Sequence, residues 1–216
     1  MYKLVIFDLD GTLLDTLGDL AAAGNYALEQ MGLPVHPVES YKTFVGNGIP
    51  MLVRRMLPKE HSATHEERAL ELFGEYYSAH KMDRTKPYEG ITDMLTELSQ
   101  RGVICTVNTN KNHEFSSELI RKFFGDKVRD VMGMGIGFPP KPAPMAALEL
   151  CKRYCEDRKN VLYVGDSNVD MRTGELAGLA RCAVLWGFRS YDELAAFHPE
   201  FMADNAERLK HIILGR

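Results

Sequence analysis

Asp8 and Asp10 lie in the stretch "VIFDLDGTLLDT" (residues 5–16), directly behind the apolar run Val5-Ile6-Phe7. Residues two apart on an extended chain point to the same side, so this strand end presents two carboxylates together. Two other apolar runs turn polar as abruptly: "TVNTN" at 106–110 and "VLYVGDSNVD" at 161–170. In an open parallel sheet, ligands bind beyond the carboxyl ends of the strands. Asp8, Asp10, Thr109, Asn110, Asp166 and Asp170 are therefore expected at one place. Four carboxylates there repel unless a cation sits among them. An all-oxygen set without Cys or His suits a hard ion such as Mg²⁺, which keeps several waters and recruits substrate phosphate.

Those strand ends need a frame to position them. Leu17, Leu20, Ala21, Leu28 and Met31 recur at helical spacing over 16–31, and Gly32 with Pro34 ends the run. A second helix is expected in "PMLVRRMLP" (50–58) and a third over roughly 65–80, with no strand between 15 and 83. After "KPYEG" (86–90) the pattern changes: helix 91–100, strand "VICTVNTN", helix 115–124, a short apolar segment at 128–134, and helix 144–154. Strand "NVLYVGD", helix 168–177, strand "CAVLW", a closing "FMADN" and a terminal helix complete the chain. Alternating strands and helices imply βαβ units and a parallel sheet covered on both faces. The expected fold is α/β, a doubly wound, Rossmann-like parallel-sheet core (1–14 and 87–216) with an inserted α-helical cap domain (15–86).

With 45% hydrophobic and 26% charged residues, the chain of 216 can bury a substantial core. A net charge of −4 gives no reason to expect nucleic acid or an anionic membrane as partner. No secretory leader is expected ahead of the apolar opening, and no apolar stretch approaches the ~20 residues of a membrane span. Cys105, Cys151, Cys155 and Cys182 form no CxxC pair and read as free thiols of a reducing cytosol. The expectation is a cytoplasmic enzyme, monomer or homodimer, acting on a small molecule.

"DLDGTLLDT", Thr109-Asn110-Lys111, the "KPAP" lysine Lys141 and "GDSNVD" follow one another in the order of the four motifs of the haloacid dehalogenase-like superfamily, which the chain resembles over nearly its whole length. The resemblance implies a Mg²⁺-dependent phosphatase acting on a small phosphorylated metabolite. Asp8 would be the nucleophile that forms an aspartyl-phosphate, and Asp10 the general acid and then the base. Thr109, Asn110 and Lys141 would hold the phosphoryl group. Asp166, with Asp8 and the Asp10 main-chain carbonyl, would bind Mg²⁺, supported by Asp170. The family's dehalogenases lack the second Asp, because a halide leaves without a proton; this chain has Asp10.

Blander roles compete at several positions. Lys141, between Pro140 and Pro142, also reads as an exposed turn lysine, and Asp170 as a support for the helix that follows. Asp15 with Thr16 reads as the cap of the first helix of the insertion. "GMGIGF" (133–138) lacks the third Gly and the following helix of a dinucleotide loop, and "HSATH" (61–65) lacks the Glu of a zinc-protease motif. The stretch "YKTFVGNGIPMLVRRML" (41–57) and "LWGF" (185–188) resemble segments of phosphoglycolate phosphatases. Lys42, Asn47 and Arg54 are the cap candidates for a small anionic leaving group such as glycolate. The alternatives are a β-phosphoglucomutase-type mutase and a pyrophosphatase or nucleotidase of the same superfamily. The sugar-binding Lys-Gly and Ser-Arg pattern of the mutase caps is not evident at 42–48.

Overall fold

The computed structural model describes residues 1–215. The chain forms two compact units, one from Met1–Leu14 and the chain from Pro87 onward, the other from Asp15–Lys86. Strand β1 (Leu4–Phe7) opens the first unit, and the short strands β2 (Leu14–Asp15) and β3 (Lys86–Pro87) stand at the two chain crossings.

The second unit is helical: α1 (Leu17–Gln30), α2 (Tyr41–Phe44), α3 (Ile49–Met56) and α4 (Ala63–His80). Helix α1 buries Leu17, Leu20, Ala21, Ala27 and Leu28, while α4 buries Ala69, Leu72, Phe73 and Tyr77. Gly24 on α1 is needed for this packing, since a Cβ there would come within 2.4 Å of the Tyr41 hydroxyl. The N-terminus of α1 differs from expectation: Thr16 makes no side-chain cap bond, and Asp15 Oδ1 alone accepts, from Leu17 N–H at 3.3 Å. Buried Asp19 ties the unit's ends, accepting from the Arg84 and Thr85 amides at 2.8–3.1 Å and from Thr85 Oγ1 at 2.8 Å. In "HSATH", Ser62 and His65 form a capping box at the start of α4.

The first unit is an α/β sandwich. Strands β4 (Ile104–Asn112), β5 (Asp130–Met134), β6 (Val161–Gly165), β7 (Ala180–Val184) and β8 (Phe201–Ala203) join β1 in a six-stranded sheet of order β5-β4-β1-β6-β7-β8. All neighbours pair parallel. This is the doubly wound order, with β4 and β5 added on one side of β1 and β6 to β8 on the other. β1 is central and all four residues are fully buried, as a strand covered on both faces must be. The connecting helices are α5 (Ile91–Gln100), α6 (His113–Phe123), α7 (Met145–Tyr154), α8 (Asn168–Ala177) and α9 (Tyr191–Ala195), and α10 (Ala206–Leu214) follows β8. One face packs Leu4, Ile6, Val161 and Tyr163 against Ala147, Leu150 and Cys151 of α7. Among the described residues no helix is long and apolar enough to cross a membrane.

Candidate active site

The carboxyl ends of β1, β4 and β6 meet at the middle of the sheet, and each is built by local rules. Asp8 continues β1, donating its N–H to Val164 O at 2.9 Å. The chain then turns at Gly11, whose φ of +85° disfavours any side chain. A Cβ on Gly11 would lie 2.3 Å from Asp166 Oδ2, so the turn also needs the missing side chain for space. On β4 the pairing with β5 runs in step to Asn108↔Met132 and resumes at Asn112↔Met134. The residues looped out, Thr109, Asn110 and Lys111, are the polar motif itself, a bulge that turns side chains out of the ladder. The Thr109 hydroxyl accepts the Lys111 amide at 3.3 Å inside this bulge.

Two lysines organise the carboxylates. The Lys141 ammonium sits between Asp170 Oδ1 (2.6 Å) and Asp8 Oδ1 (2.9 Å). Its side chain is 2% exposed, which removes the turn-lysine reading. Asn110 fixes the lysine's own backbone, accepting Lys141 N–H at 2.8 Å and donating to Lys141 O at 3.1 Å. Asp170 divides its two oxygens: Oδ2 accepts from Ser167 N (3.1 Å) and Oγ (2.5 Å) in the capping box that starts α8, while Oδ1 holds Lys141. It caps the helix and pairs with Lys141 at once. The second lysine, Lys111, contacts both oxygens of Asp10 at 3.0 and 3.2 Å. The sequence motif contains this residue, yet its role was not legible there; a lysine at the end of an apolar strand was the available signal.

Asp166 is gripped from three sides: Oδ1 accepts from Thr12 Oγ1 at 2.9 Å, Oδ2 from Phe188 N–H at 2.8 Å, and Gly187 leaves no room for a Cβ. Thr12 is held in turn through its carbonyl by the Trp186 indole N–H at 3.0 Å. The "LWGF" segment thus supports Asp166, which sequence reading did not foresee.

Carboxylate oxygens of Asp8, Asp166 and Asp170 lie within 4.8 Å of one another, all buried. Burial, then the Asp170 charge, push the Asp8 carboxyl well above the usual range, against the pull of Lys141. The same two causes raise Asp166. Burial alone would favour a neutral Lys141 amine, but Asp170 and Asp8 outweigh it and hold the ammonium charged. Three buried carboxyl groups, two of them on the Lys141 ammonium, make an all-oxygen setting, and a hard divalent cation fits that donor set. The Asp10 carboxylate lies outside this trio, on Lys111.

The cap candidates take local partners within the helical unit. Lys42 pairs with Glu39 at 2.8 Å, Asn47 accepts from Arg55 at 2.8 Å, and Arg54 lies 3.3 Å from Glu66.

Comparison with known proteins gives the family. Residues 5–184 match the family profile described as haloacid dehalogenase-like hydrolase. The chain is 35% identical over 213 residues to a phosphoglycolate phosphatase of Pseudomonas savastanoi pv. phaseolicola, covering 96% of this chain and 78% of that one. It is 32% identical over 223 residues to a phosphoglycolate phosphatase of Vibrio parahaemolyticus, covering 98% and 96%. A crystal structure from Lactobacillus delbrueckii subsp. bulgaricus, provisionally named a phosphoglycolate phosphatase, superposes with a TM-score of 0.94 at 34% identity, covering 100% and 99%. With strand-end motifs, sheet order and sequence likeness in agreement, the chain belongs to the haloacid dehalogenase-like hydrolases and is similar to the phosphoglycolate phosphatases among them.

Proposed function

We propose that this hydrolase is a Mg²⁺-dependent phosphatase working through an aspartyl-phosphate on Asp8, with phosphoglycolate its leading substrate. The observation that carries the reading is the buried Asp8, bridged by Lys141 and set beside Asp166, with Asp10 two residues further on. Both hydrogen bonds to the Asp8 carboxylate, from Leu9 N–H at 2.7 Å and from Lys141, fall on Oδ1. Oδ2 is then the oxygen that attacks phosphorus, in line with the leaving alkoxide.

Phosphoryl transfer passes through a loose transition state with charge spread over the equatorial oxygens, so catalysis is mostly positioning and electrostatics. Lys141 supplies one fixed positive charge for those oxygens, and the Thr109 hydroxyl a hydrogen bond. Asp10 gives its proton to the leaving oxygen and afterwards takes one from the water that cleaves the aspartyl-phosphate. Asp8 and Asp166 would hold Mg²⁺, with Asp170 orienting Lys141. When bound, the ion neutralises the carboxylates and the incoming phosphate. Phosphoglycolate is favoured by the two phosphoglycolate phosphatases at 32–35% identity.

The test is phosphate release from a panel containing phosphoglycolate, β-glucose 1-phosphate and pyrophosphate, with Mg²⁺ and with chelator. Metal-dependent release concentrated on phosphoglycolate is expected. Conversion of β-glucose 1-phosphate to the 6-phosphate without release would move the protein to the mutases.

A further inference from the structure

Three successive residues beyond β7 bear on one carboxylate. Leu185 still donates to Ala203 O at 2.9 Å beside β8, and the chain then leaves the sheet. Gly187 gives Asp166 its space, since a Cβ there would lie 2.3 Å from the Asp166 Cβ, and Phe188 N–H donates to Oδ2 at 2.8 Å. Trp186 acts at one remove. Its indole N–H donates to the Thr12 carbonyl at 3.0 Å, and the Thr12 hydroxyl donates to Asp166 Oδ1 at 2.9 Å.

Asp8 and Asp170 have the Lys141 ammonium to hold them, whereas the donors to Asp166 are a hydroxyl and an amide. Each Asp166 oxygen accepts one of these and keeps room for a further partner. How firmly the carboxylate is aimed therefore depends on how firmly its two donors are fixed. Phe188 donates from the backbone. Thr12 donates from a side chain, in the turn that follows Gly11, and the indole pins that turn by its carbonyl. Trp186 is half-buried and lines a cleft of about 530 Å³ with Tyr88, Met94 and Asn205. Packing alone does not call for the bond to Thr12, because water can satisfy an indole N–H at an open cleft.

We infer that Trp186 is a positioning residue of this site: through Thr12 it fixes the Asp166 carboxylate and so sets the affinity for Mg²⁺. It walls a cleft and does not fill the core, so its replacement leaves the sheet packed. The inference rests on the Mg²⁺-dependent phosphatase reading and gives a part in it to a residue outside the four motifs.

Trp186 is the one tryptophan of the chain. Biosynthetic incorporation of β-(3-benzothienyl)alanine, which carries sulfur in place of the indole N–H, therefore deletes this hydrogen bond alone and keeps the ring. Trp186→Phe is the genetic counterpart, and Thr12→Val cuts the connection one step nearer Asp166. Circular dichroism confirms that each protein is folded, and titration calorimetry measures Mg²⁺ binding to the metal-free forms. Partners of metal ligands are commonly worth 10- to 100-fold in affinity, and Trp186 stands one bond further out, so the isostere should lose about 3- to 10-fold. In the Thr12→Val protein the same replacement should add less than about twofold, because the connection is already cut. Phosphate release by the isostere should need correspondingly more Mg²⁺ and recover at saturating Mg²⁺, which a general loosening of the fold does not allow. Unchanged Mg²⁺ affinity in the folded isostere overturns the inference and leaves the phosphatase reading intact. So does a loss as large in the Thr12→Val protein as in the wild type. A wild type that binds no Mg²⁺ overturns the metal-dependent reading and the inference with it.

Discussion

The two units treat the same residue types in opposite ways. In the helical unit Lys42 and Arg54 have side chains 39% and 62% exposed and lie beside Glu39 and Glu66. In the α/β unit Lys111 and Lys141 are 2% exposed, and their partners come from other elements of the sheet and its helices. An exposed pair gains little because water screens it and long side chains lose freedom to form it. A buried ammonium is tolerable only with carboxylates fixed around it. The contrast teaches where charge has been built into the fold and where it only decorates the surface. A buried cluster with more acids than bases suits a cation as a further partner.

Several measurements would break or sharpen that contrast. The largest effect is expected for Asp8→Asn, which keeps the side-chain shape but removes the carboxylate proposed as the nucleophile. Turnover should fall at least ~10³-fold with the fold retained. Phosphate release by variant purified free of wild type, beside its circular dichroism, is the check. Next comes Lys141→Met, which leaves Asp8 and Asp170 without their shared ammonium. Loss of one partner of a buried charge cluster costs about 3–5 kcal/mol, and turnover should drop with it. Adding Asp170→Asn should recover part of the stability in urea unfolding without recovering turnover. Full recovery of both would reduce Lys141 to a structural role.

A third effect concerns pH. In the metal-free protein Asp8 is pushed up to about 8 and Asp166 to about 7, mainly by burial and by Asp170. The unfolded carboxyls titrate near the ordinary value of 3.8, so the native state binds more protons over the interval above it. Stability of the metal-free protein therefore falls as pH rises through that window, because ionised carboxylates are costly in the folded state. Under the proposed reading Mg²⁺ competes with those protons, and its stabilisation grows with pH. The rise in melting temperature on adding Mg²⁺ should be larger at pH 8 than at pH 6. An equal rise at both would place the ion away from these carboxyls.

The smallest effects belong to the helical unit. Lys42→Ala and Arg54→Ala should each change stability by no more than about 0.5 kcal/mol in urea unfolding. A loss of ~2 kcal/mol in either would erase the difference between the units.

Legibility followed the length and regularity of each element. Helix α8 was expected at 168–177 and is Asn168–Ala177, with Ser167 and Gly178 supplying both caps. Short helices α2 and α9 escaped, since four or five residues carry no helical period. The strand expected at 182–186 is Ala180–Val184. It starts almost at once after the Gly178 cap, and Trp186 is drawn out of the sheet to donate to Thr12. Apolar runs cannot show such long-range bonds.

The sequence by itself determined the strand–helix alternation, the interruption after the first strand, and the residues that end strands with polar groups. Those are properties of neighbouring residues, fixed by hydropathy, turns and caps. Only the tertiary structure decided which ammonium serves which carboxylate. Lys111 meets Asp10 across 101 residues, Asn110 holds Lys141 across 31, and Thr12 holds Asp166 across 154. These pairings depend on the order of strands in the sheet and on a bulge at Thr109–Lys111. Once water is excluded, each buried charge must find a partner among whatever groups the sheet brings within reach.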